Sequence, residues 1–146
     1  MEYEPDLEPA PDTFRVLFSG QALKHLDEFV LSWRMGGHPI EWTGAVALFQ
    51  VHLANGPSAL FRLRAPTEGL PASVEVDITD ASRGGIPSDL ARRLWDELAY
   101  IGKAVENPYA PLTVSLSRFS RGDRKVFLAY ALTIARQIAR PPEPAE

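Results

Sequence analysis

The chain of 146 residues contains no cysteine, which excludes a disulfide framework, a thiolate nucleophile and any zinc site built on sulfur. Histidine is scarce: only His25, His38 and His52 are available for proton transfer near neutral pH without a large pKa perturbation. No apolar run reaches the ~18 residues of a membrane-spanning helix, and the acidic start lacks the basic and apolar regions of a targeting signal, so a cytoplasmic protein with no membrane association is expected. What remains is 45% apolar and 23% charged residues, close to the usage of a single folded domain and unlike that of a disordered chain or a coiled coil.

Charge is segregated along the chain. Residues 1–12 hold Glu2, Glu4, Asp6, Glu8 and Asp12 with no Lys or Arg, a net −5. Residues 118–140 carry Arg118, Arg121, Arg124, Lys125, Arg136 and Arg140 against Asp123 alone, a net +5. Prolines at 5, 9 and 11 and at 141, 142 and 144 suit extended, solvated segments. The expected organisation is an acidic disordered tail over 1–12, a single α+β domain over 13–140, and a Pro-rich acidic tail over 141–146.

Within the domain, Phe14, Val16 and Phe18 alternate with polar neighbours and predict a strand over 13–19. Ala22, Leu23, Leu26, Phe29, Val30 and Trp33 recur at helical spacing and predict a helix over 20–35, capped by Ser19 and ended by Gly36-Gly37. The segments around Asn55-Gly56 read as a hairpin. Its apolar residues are all odd-numbered, so a shared face requires an even register and hence a loop of three or five residues. Ser73 to Asp80 reads as a strand whose Glu75 and Asp77 oppose Arg62 and Arg64. Ser88 is expected to cap a second helix that buries Leu90, Ala91, Leu94, Trp95, Leu98, Ile101 and Val105. A fifth strand is predicted over 112–119 and a last helix from Asp123. These elements predict a two-layer α+β fold: a mostly antiparallel five-stranded sheet covered by three helices, in the order β-α-β-β-β-α-β-α.

The last helix is apolar over more than half its circumference. Beside the stripe of Phe127, Tyr130, Ala131, Ile134 and Ile138 runs a second, Leu128, Leu132, Ala135 and Ala139, so it must be buried on two sides. The second side is met either by the other helices or by another chain. The candidate interface for a homo-oligomer is therefore Leu128, Leu132, Ala135 and Ala139.

Two loops are candidates for ligands. Asp80, Ser82, Arg83, Gly84, Gly85 and Ser88 lie between the fourth strand and a helix start, where backbone amides can meet a phosphate, although the lysine of a P-loop is absent. Asp80, Ser82 and Gly85 resemble the Asp-x-Ser-x-x-Gly half of the PilZ motif, which in that family binds cyclic di-GMP together with an upstream Arg-x-x-x-Arg; Arg62 and Arg64 do not have that spacing. The same stretch with Gly85-Ile86-Pro87 is similar to the Asp-x-Gly-x-Gly-Ile-Pro region of histidine-kinase-type ATPases, without its second-position glycine. Neither similarity extends to a family assignment. The second loop is basic: Arg118, Arg121, Arg124 and Lys125 flank Phe119, a pattern suited to phosphates and a stacked base. The pairs His25/Glu28 and His38/Glu41 lack the spacing of a known zinc motif, and no metal or cofactor is expected. The expectation for function is a non-catalytic binding or regulatory protein, not an enzyme. It would act through protein contacts, with the acidic tail or the basic loop as partner surface and self-association through the C-terminal helix. The alternative is a nucleotide- or nucleic-acid-binding module using the 80–88 loop or the 118–125 loop.

Overall fold

Pro11, with φ −54°, leads into the first element, and Asp12 lies in the first helical turn, so α1 spans Asp12–Arg15 where a strand was expected. The alternation misled because Phe14 and Phe18 are also four apart, the spacing of one helix face. Both are buried with ring centroids 5.2 Å apart, while Val16 between them is 77% exposed. The computed structural model describes residues 8–103 and 111–140; Val105 and the residues numbered 1–7 and 141–146 lie outside them. Ala10 is already buried, so the packed part of the chain begins earlier than residue 13.

Among the described residues the further helices are α2 (Gly20–Met35), α3 (Ile78–Arg83), α4 (Ser88–Gly102) and α5 (Arg121–Ile138). The strands are β1 (Ile40–Thr43), β2 (Val46–Leu53), β3 (Gly56–Arg64), β4 (Ser73–Val76) and β5 (Leu112–Ser115), which form one antiparallel sheet in the order β1-β2-β3-β4-β5. The α+β class and the five-stranded antiparallel sheet with its helices are thus as expected. The place of the missing first strand is taken by β1, a four-residue run too short to stand out in the sequence.

The β2–β3 hairpin closes through a two-residue turn, Ala54-Asn55, with Leu53 opposite Gly56 at φ +113°. The longer loop is therefore replaced by a different device. A bulge between Phe49 and Gln50 shifts the register by one, so Phe49 still faces Phe61 and Ala47 faces Leu63 on the core side. The Phe49 and Phe61 rings stack at 4.6 Å.

Local side-chain bonds end two strands early. Asp77 accepts a hydrogen bond from the Asp80 N–H and starts α3, so β4 stops at Val76 and not at Asp80. Ser115 accepts from the Ser117 N–H and opens a 3₁₀ turn over Leu116–Arg118, which ends β5. Ser88 is the first residue inside α4 and not its cap; Pro87 holds that position. The last helix begins at Arg121, two residues before the expected Asp123, because Ser120 and Asp123 exchange bonds in a capping box.

Helices α2, α5 and α4 cover one face of the sheet, with α5 in contact with both of the others and with β2. Phe29 of α2, Phe61 of β3 and Phe127 of α5 meet in the core at centroid distances of 5.2–6.0 Å. The opposite face carries a polar ladder: buried Glu75 accepts from Arg62 at 3.3 Å, from Arg64 at 3.1 Å and from Thr113 at 3.3 Å. Asp77, expected in this ladder, is occupied as the α3 cap, and Asp80 pairs with Arg62 in its stead.

Candidate functional site

The basic segment predicted over 118–125 divides in space. Arg118, Arg121 and Lys125 are exposed, but Arg124, three residues into α5, points inward and is only 8% exposed. Its Nη1 donates to His25 Nδ1 of α2 at 3.1 Å. Burial, then the Arg124 charge, hold the His25 pKa below its ordinary value, against an opposing hydrogen bond to the Phe119 backbone. A neutral His25 is the form that can accept from a guanidinium through Nδ1. Phe119, read in the sequence as a base-stacking ring, is buried edge-on against Phe29 and Phe127.

Around Arg124 lies a cleft of about 710 Å³ between α2 and the start of α5, bordered by Lys24, His25, Glu28, Ser117 and Arg121 among others. Lys24 and His25 carried no sequence signal for this role. The contact of His25 with Arg124 joins residues 99 positions apart, which no local spacing encodes.

The loop over 80–88 is tied up in its own packing. Asp80 pairs with Arg62, and Ser82 and Ser88 share a hydroxyl hydrogen bond of 2.6 Å. Gly84 presses on Ser58, leaving no space for a β-carbon, and Gly85 adopts φ +102° in the turn to α4. Arg83 is exposed. Both glycines thus have conformational or packing reasons that involve no ligand.

Of the predicted interface residues, Leu128 and Ala135 are buried within the chain, while Leu132 and Ala139 are half-buried. The latter two border a depression of about 770 Å³ between α2 and α5, with Met35, His38, Ala129 and Thr133. His38 is buried against Trp33 at a centroid distance of 5.0 Å, and its pKa is lowered by burial and by nearby His52. No group of three or more His, Asp or Glu side chains among the described residues could hold a metal, and no helix among them is long and apolar enough to cross a membrane. The chain matches no protein-family model, no curated protein and no solved structure.

Proposed function

We propose that this chain is a non-catalytic binding or regulatory protein that acts through protein contacts and self-associates through the outer face of α5 and the end of α2. The observation that carries this reading is a set of exposed apolar side chains on two neighbouring helices, with polar Ser32, Thr133 and Arg136 among them. Val126, Ala129, Tyr130 and Thr133 follow the i, i+3, i+4, i+7 spacing on the outward side of α5; Val126 is 44% and Tyr130 47% exposed. Met35 of α2, 63% exposed, stands beside Ala129 and half-buried Leu132. Single exposed apolar side chains are ordinary, but adjoining ones across two helices mark a contact surface. The seam is thereby moved round the helix from the sequence expectation: Leu128 and Ala135 belong to the chain's own core, and Leu132 and Ala139 sit at the edge of the patch. A cytoplasmic, cofactor-free protein remains part of the proposal.

Light scattering on the full chain tests it. The expected result is a dimer mass for the wild type and a monomer mass, with an unchanged circular-dichroism spectrum, for Met35→Glu/Ala129→Glu. A wild type that stays monomeric at its highest soluble concentration refutes self-association, as does a double variant that stays dimeric.

A further inference from the structure

Arginine remains protonated in proteins, so its buried charge cannot be relieved by losing a proton. Burying such a cation without a counter-charge is unfavourable. Arg124 is in that position: among the described residues no carboxylate lies within ion-pair distance of it, and its hydrogen-bond partner is a histidine, which supplies an acceptor but no negative charge. Of the two acids that border the cleft, Asp27 and Glu28, the first is committed elsewhere. Asp27 is gripped by Arg15 through two bonds of 3.0 and 2.8 Å, and Asp123 accepts from the Ser120 N–H in the α5 cap. Glu28 is exposed on the cleft border.

We propose that the cleft between α2 and the start of α5 is a binding site for an oxyanion, the carboxylate or phosphate group of a small ligand, with Arg124 as the buried anchor and Lys24 and Arg121 as the outer cations. Arg124 borders the cleft while His25 fixes one of its guanidinium nitrogens, so the guanidinium plane is held before the ligand arrives. The hydroxyls of Ser117 and Ser120 border the same space and can donate to the anion. The site is separate from the apolar patch, and neither proposal depends on the other.

Calorimetric titration of the full chain at constant ionic strength, first with inorganic phosphate and then with acetate, distinguishes a phosphoryl from a carboxylate ligand. Saturable binding of either ion is expected, with amide and imidazole NMR shifts confined to Lys24, His25 and residues 117–124. Arg124→Gln should weaken it at least about tenfold, the loss of a charge-assisted hydrogen bond, while Lys125→Gln leaves it unchanged. Should Arg124→Gln fail to fold, Lys24→Gln/Arg121→Gln takes its place, with a severalfold loss expected. Absence of saturable binding of both ions, shifts elsewhere on the surface, or full affinity in a folded Arg124→Gln or in Lys24→Gln/Arg121→Gln would overturn the assignment.

Discussion

Two buried imidazoles couple this fold to pH. His25 and His38 both have pKa values below the ordinary 6.5, the first chiefly through burial and Arg124, the second chiefly through burial and His52. In the unfolded chain each takes up a proton near 6.5, whereas in the folded chain it does so only at lower pH. Their contribution to stability is therefore complete above 6.5 and is lost as pH falls through the folded values. Urea unfolding midpoints measured between about pH 7.5 and pH 5.5 should decline on acidification, and the decline should be shallower in His25→Gln and in His38→Gln. A slope unchanged by either substitution contradicts this coupling. The sequence marked both histidines only as members of weak His-x-x-Glu pairs. Their significance comes from neighbours that folding supplies: Arg124 for one, Trp33 and His52 for the other.

Element boundaries depend on a handful of side chain to backbone bonds. The start of α5 is the clearest, since Ser120 and Asp123 satisfy each other's N–H groups at 3.0 Å. Removing the cap with Ser120→Ala should lower stability by about 1 kcal/mol, read as a shift in the denaturation midpoint with an unchanged m-value. No shift would show that the cap is dispensable. Where the apolar period was long, as in α2 and α4, the sequence placed the helix well; the 20–35 bounds agree at both ends. Short segments failed for identifiable reasons. In 13–19 one pair of phenylalanines satisfied period two and period four at once, and Pro11 with Asp12 favoured the helix. At 77–80 and 115–118 an Asp and a Ser formed local turns that end strands whose alternation continues in the sequence.

At the scale of the whole molecule, α5 is the central helix of its layer. That placement accounts for its second apolar stripe, since α2 and α4 lie on either side of it and the sheet lies beneath. Leu128→Ala should therefore be destabilising by about 2–5 kcal/mol, the range for a buried leucine, in contrast to Met35→Glu/Ala129→Glu, which alters an exposed surface. Chemical denaturation of the two variants side by side separates core from contact surface; a Leu128→Ala protein as stable as the wild type would remove Leu128 from the core. The polar ladder of Arg62, Arg64, Glu75 and Thr113 shows the same logic on the opposite face, where β3–β4 register brings together charges that the sequence pattern had already set to alternate.

By itself the sequence determined the α+β class, four of the five strands of the antiparallel sheet, the two longest-patterned helices and the presence of a basic segment over 118–140 opposed to an acidic start. Those properties follow from periodicity and composition, which act over a few residues and survive without knowledge of the fold. Tertiary structure alone decided which cation of the basic segment is buried, which stripe of α5 is core, and which glycines serve packing. Each of those outcomes depends on groups distant in sequence, such as His25 beside Arg124 and Ser58 beneath Gly84, and burial or pairing energy exists only once the chain has brought them together.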